Sequence, residues 1–294
     1  MYKVDVIINV YGKPYQTLCT LKSLMKHSGE RIDKIYFIQE PNCPDEAVIK
    51  EISSLFDNLT YYIPLGYRFI DSPIRSSEIK NPNDRYIFRY QYGIEHSDKK
   101  YAFITHNDVL YTGDIIGEML KIVDDGYVGI GKIGQCWNCP IHTAGICDGD
   151  RMENYNPTYE EVMNIFDKYH AARGHQVISR LDTNRPMPIP ECRLNEFSAL
   201  VDLEIINKEC YPNGEGNLFG SFNLDVGDVW FREMILKGYK FKNFKIEGYS
   251  IHGYYTSLLN DPGLNTTGYV VQRDIDLYEE SEKIAKEYYA ENYK

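Results

Sequence analysis

Apolar residues recur along the chain with two periods, and the period switches in a regular order. Residues 4–10, VDVIINV, are a short β-branched run suited to a strand buried on both faces. The next stretch places Leu18, Leu21, Leu24 and Met25 on one helical stripe, with Pro14 fitting its first position and Gly29 the residue past its end. A second strand is expected over 34–39, and a third over 59–63. Between them a helix over 45–56 carries Val48, Ile49, Ile52, Leu55 and Phe56 on one face. Strand, helix, strand, helix, strand implies a parallel sheet with right-handed crossovers.

Periodicity lapses over 64–84 around Pro64, Pro73 and Pro82, a loop long enough to be functional or mobile. The pattern then predicts one helix over 84–96, with Ile87, Tyr90 and Ile94 facing inward and Arg85 and Arg89 one turn apart on another face. An apolar strand from Tyr101 stops abruptly at His106-Asn107-Asp108, a cluster of metal-ligating side-chain types, and an apolar helix is read from Thr112 over 114–123. Open α/β sheets bind ligands beyond the carboxyl ends of their strands, although Asn and Asp are also common turn formers. A further strand is expected over 127–133.

Beyond Gly134 the texture changes. Cys136-Trp137-Asn138-Cys139 and Cys147 fall in a loop, a helix is expected from Asn156-Pro157 to about Ala172, and RPMPIP at 185–190 must be extended. A strand over 197–203 precedes a glycine-rich segment at 211–222, read as mobile. Residues 224–228 open a helix containing Trp230, Met234, Ile235 and Leu236, closed by Gly238. A strand over 239–246 leads to His252 in a tyrosine-rich loop. A charged helix over 274–293 has only a weak apolar stripe and is read as a solvated lid.

A net charge of -11, with no Lys/Arg run, excludes nucleic acid and anionic membranes as main partners. No apolar run approaches the roughly 18 residues of a membrane span, and the chain enters a strand pattern without a basic-then-apolar leader. These features imply a cytoplasmic protein whose seven cysteines are thiols or metal ligands rather than disulfides. Cys136, Cys139, Cys147 and Cys192 have a spacing from which a structural zinc site can be built, with His142 able to replace one of the four.

Four stretches, VDVIINVYGKPYQTLCTLKSL, RYQYGIEHSDKKYAFITHND, NEFSALVDLEII and VGDVWFREMILKGYKF, resemble a family 2 glycosyltransferase with the GT-A nucleotide-diphospho-sugar transferase fold. Together they touch most of residues 3–246. The resemblance implies a Rossmann-like α/β fold: a mixed, mostly parallel central sheet flanked by helices. It implies a nucleotide-sugar half at 1–133, an acceptor-binding and catalytic half at 134–260 with a loop-rich, cysteine-containing insert at 134–195, and a helical tail at 261–294. These read as one continuous domain.

The family's DxD-type motif holds a divalent cation, Mn²⁺ or Mg²⁺, against the donor diphosphate. Here it reads His106-Asn107-Asp108, so the first acid is replaced, Asp108 keeps the ligand role, and Asn107 lies beside the donor. His252 falls where some GT-A enzymes supply a further ligand. Asp228 occupies the place of the catalytic base, with Asp225 as its near alternative. Val10, Tyr11 and Glu40 would border the nucleotide, and Arg85 or Arg89 would face the diphosphate.

The implied activity is transfer of a sugar from a nucleotide-diphosphate donor to an acceptor hydroxyl, with inversion, in cell-surface polysaccharide or glycoconjugate assembly. That setting would place the protein in the cytoplasm or against the inner face of the membrane. A nucleotidyltransferase, or a GT-A-like protein that binds without turnover, are the alternatives.

Overall fold

The computed structural model describes residues 2–67, 74–123, 126–134, 136–171, 173–259 and 275–294. Part of the expected 64–84 loop (68–73) and part of the expected 261–294 tail (261–274) therefore lie outside the described residues.

A seven-stranded sheet runs in the order β3-β2-β1-β4-β7-β6-β8. Its strands are β1 (Val4–Val10), β2 (Ile32–Gln39), β3 (Leu59–Tyr62), β4 (Tyr101–Thr105), β6 (Tyr127–Ile133), β7 (Leu194–Asp202) and β8 (Lys240–Asn243). Pairing is parallel from β3 through β4 and between β6 and β8. Only β7 is antiparallel to its neighbours β4 and β6. This is a mixed, mostly parallel central sheet, as the resemblance implied. A separate two-stranded antiparallel sheet pairs β5 (Val109–Tyr111) with β9 (Ser250–His252).

Every residue of β1 is buried, because helices cover both faces of the sheet. Alternate residues serve opposite cores. Ile7 joins Ile38, Ile104, Trp230 and Phe231 on one face, whereas Val6 and Ile8 join Leu21, Leu24, Phe37 and Ile116 on the other. Each such fully buried side chain is worth roughly 1.5–3 kcal/mol. The helix Gln91–His96 approaches β1 so closely that a Cβ on Gly93 would stand 2.6 Å from Ile7 Cγ2.

Several expectations are corrected. The helix expected over 84–96 is two pieces, Pro82–Arg85 and Gln91–His96, separated by Tyr90 at φ 65°. Asn9 Oδ1 accepts the Tyr90 N–H at 2.9 Å, so tertiary contact sets this break and Arg85 and Arg89 do not share a helical face. Tyr111 ends β5 rather than leading into a helix; Asp114 then caps Ile115–Leu120 by accepting the Gly117 N–H. The helix expected from 156 begins at Tyr159, where Thr158 and Glu161 form a capping box, and ends at Lys168.

The 211–222 segment is packed rather than mobile. A Cβ on Gly214 would collide with the Glu209 backbone, and one on Gly220 with the Arg89 carbonyl. The last helix, Ile275–Asn292, is likewise docked and not a solvated lid. Glu282 caps the helix Pro14–Ser28 by accepting the Tyr15 N–H at 2.7 Å and the Gln16 N–H at 3.3 Å, and the Tyr278 hydroxyl accepts the Lys13 N–H at 2.9 Å. Among the described residues no helix is long and apolar enough to cross a membrane.

Candidate functional site

The site is assembled where β1 and β4 end. After β4 the chain turns through 106–108 and enters β5, whose register pairs Val109 with His252. That pairing carries a residue 146 positions from His106 to its side. His252 Nε2 lies 3.3 Å from both His106 Nδ1 and Asp108 Oδ1. Ligand atoms of His106, Asp108 and His252 all lie within 4.8 Å of one another.

From β1, the turn Gly12-Lys13 adds a cation. Lys13 adopts φ 56°, held by its own N–H on Tyr278, and its ammonium lies 2.7 Å from Asp108 Oδ2. The two side chains are 4% and 8% exposed. Burial alone would push the Asp108 carboxyl up, but Lys13, followed by His252 and His106, holds it well below the usual range. Burial lowers the His106 pKa, leaving the neutral imidazole that metals bind.

His106 turns its other nitrogen, Nε2, toward Glu196 Oε1 at 3.2 Å, an ion-pair distance at an angle outside hydrogen-bond geometry. Glu196 comes from the buried strand β7. Burial opposes its ionisation, yet Arg193 and then His106 bring its carboxyl down to about 2. Arg193 pairs with Glu196, reaches Asp225 Oδ2 at 3.3 Å and donates to the Val226 carbonyl at 3.1 Å. Charge therefore alternates from Glu196 through Arg193 to Asp225 in the 225–228 turn. Lys13, Glu196 and Arg193 were not singled out by sequence reasoning; the signal was an acid at 196 directly before the mostly apolar run 197–201.

These residues fit a divalent cation. Asp108 Oδ1 is a buried carboxylate oxygen without a hydrogen-bond partner among the described residues, flanked by two imidazoles. Two nitrogens and one carboxylate suit Mn²⁺ or another transition metal better than Mg²⁺, which favours oxygen. A carboxylate behind a ligating histidine, as Glu196 stands behind His106, is a common orienting arrangement.

The remaining sequence candidates separate. Val10 is buried and accepts the Glu40 N–H at 2.9 Å, and Tyr11 is partly buried beside it. Glu40 is itself buried, its carboxyl raised by burial, and lies 3.3 Å from Arg89 Nε. Asn107 donates at 3.0 Å to both the Gly12 carbonyl and Thr17 Oγ1, which holds the Lys13 turn. Arg85 is engaged elsewhere: its guanidinium grips Glu95 through two bonds of 2.7 and 2.8 Å and the carbonyls of Ile79 and Lys80. Cys136, Cys139, Cys147 and Cys192 line a different cavity.

Asp228 begins the helix Asp228–Leu236 after Gly227 at φ 82°. Its carboxylate accepts N–H groups from Leu224 and Val229 at 2.7 Å, Asp225 at 3.1 Å and Asn223 at 3.3 Å. Burial nevertheless pushes it up to about 6.

No protein-family model and no curated protein matches the chain. Among solved structures, a mannosyltransferase from Pyrobaculum calidifontis in complex with GDP-Man and Mn²⁺ aligns over 100% of this chain and 77% of its own, with 11% identity and a TM-score of 0.45. TarS from S. aureus with UDP-GlcNAc aligns over 44% of this chain and 34% of its own, with 11% identity and a TM-score of 0.32. A 4-diphosphocytidyl-2C-methyl-D-erythritol synthase from Anaerococcus prevotii aligns over 83% of this chain and 92% of its own, with 11% identity and a TM-score of 0.43. Likenesses at this level carry over no activity; the sheet order stands on the strand pairing itself.

Proposed function

We propose that the protein transfers a sugar from a nucleotide-diphosphate donor to an acceptor hydroxyl, inverting the anomeric centre. The observation that carries this reading is the junction of β4, β5 and β9, where His106, Asp108, His252 and Lys13 converge beyond the carboxyl ends of parallel strands. His106, Asp108 and His252 would hold a divalent cation, whose role is to neutralise negative charge growing on the departing diphosphate. The Lys13 ammonium would turn from Asp108 to a phosphate oxygen. Val10, Tyr11, Glu40 and Arg89 would border the nucleotide and its phosphates. A place in cell-surface polysaccharide assembly follows from the sequence resemblance.

The acceptor hydroxyl must lose its proton as it attacks, and Asp228 is assigned as the base. A carboxyl near 6 is a better base at neutral pH than an ordinary aspartate. One observation favours a second reading with Asp225 in that role. The four N–H donors occupy the acceptor positions of Asp228, whose residue is 1% exposed, whereas the Asp225 side chain is 27% exposed.

Thermal-shift binding of UDP-, GDP- and dTDP-sugars, with Mn²⁺ and with chelator, selects the donor; transfer is then measured for Asp228→Asn and Asp225→Asn. Loss of transfer by a factor of about 100 or more with donor binding retained marks the base. Full turnover in both variants overturns the base assignment, and the absence of any metal-dependent donor binding overturns the function.

A further inference from the structure

The four cysteines singled out by their spacing come together in the fold. Cys136, Cys139, Cys147 and Cys192 all line one cavity of about 20 Å³, with Ile133, Ile141 and Met187 among its apolar walls. Three of them belong to one loop. Cys192 arrives from the extended segment before β7, 45 positions beyond Cys147, so local sequence proximity cannot explain the convergence.

Cys147 is buried and the other three are partly buried, and thiolates gathered at an apolar cavity need a cation to offset their charge. All seven cysteines are free thiols in this structure.

We propose that Cys136, Cys139, Cys147 and Cys192 form a tetrahedral zinc-thiolate site that pins the 134–149 loop to the segment leading into β7. The set is complete without water, which marks a structural rather than a catalytic site. Binding of Zn²⁺ by four thiols releases four protons to the buffer and leaves a complex of net charge -2. Among the described residues no three of the four sulfurs all lie within 4.8 Å of one another, the spacing reached by the His106, Asp108 and His252 atoms. Zn–S bonds of about 2.3 Å require sulfurs about 3.8 Å apart, so metal binding contracts the cavity. Because Cys192 precedes Arg193, the same pin fixes the arginine that bridges Glu196 and Asp225.

The test is elemental analysis and zinc-edge X-ray absorption on the full chain, expressed with zinc and purified under reducing conditions without chelator. The expected result is zinc with four sulfur scatterers at about 2.3 Å, at one zinc per chain once the histidine site is disabled by His252→Gln. Cys192→Ser should abolish that signature, while His252→Gln should retain it. If Cys192→Ser does not fold, the wild-type spectrum still decides: nitrogen and oxygen scatterers alone would put the metal at the histidine site and overturn the proposal. Zinc-free protein, whether its thiols are reduced or joined in a disulfide, would overturn it too.

Discussion

Replacing Lys13 by Met removes the ammonium from Asp108 while keeping an apolar stem of similar length. Met at φ 56° meets the same backbone strain as Lys, so the comparison isolates the charge. Removing one partner of a buried ion pair costs about 3–5 kcal/mol. The lower end applies, since His252 Nε2 still faces the carboxylate, 3.3 Å from Asp108 Oδ1. The expected loss is about 3 kcal/mol in chelator, a Tm drop on the order of 5–10 °C for a chain of this size. Saturating Mn²⁺ should then restore more stability to Lys13→Met than it adds to wild type, because in wild type the metal competes with the ammonium. A cation at about 100 times its Kd contributes about 2.7 kcal/mol. Urea unfolding of both proteins, in chelator and in Mn²⁺, measures the difference. Equal stability of the two in chelator, or equal Mn²⁺ gains, would refute the reasoning.

Arg85→Ala should lower stability by about 3–5 kcal/mol through loss of the buried Glu95 pair, with donor affinity unchanged; weakened donor binding in a folded variant would return Arg85 to the site. Glu282 is held neutral by burial, with its pKa raised from 4.5 to about 7. Its contribution is therefore full below about pH 4.5 and is lost as pH rises through 7, on the order of 3 kcal/mol across that window. Glu282→Gln should flatten this part of the stability profile, measured by urea unfolding between pH 5 and pH 8, and an unchanged slope would assign the pH dependence to other groups.

The first half of the sheet was legible because β1 and β4 are buried throughout and its helices carry apolar stripes: the expected and observed bounds of β1 and β6 coincide. The pair β5 and β9 was not, since each has three residues and exists only through its partner. Without that pairing His252 had no visible connection to His106 beyond the family resemblance. The docking of the last helix was hidden for another reason. Its buried face, Tyr278, Ser281, Glu282 and Ala285, is largely polar, so hydrophobic periodicity could not report it. Arg85 and Arg89 appeared equivalent on an assumed continuous helix, and a contact from Asn9 to Tyr90 separated them. The cysteine spacing suggested a shared ligand, but only the path of the chain before β7 could bring Cys192 to the other three.

Release of nucleoside diphosphate tests the proposed activity most directly. Wild type is incubated with UDP-, GDP- and dTDP-sugars in Mn²⁺ and in chelator, beside Asp108→Asn. One donor class should yield nucleoside diphosphate in Mn²⁺, with release lost in chelator and in the variant. No release from any donor, or pyrophosphate formation from a nucleoside triphosphate and a sugar phosphate in its place, would contradict a glycosyltransferase built on His106, Asp108 and His252.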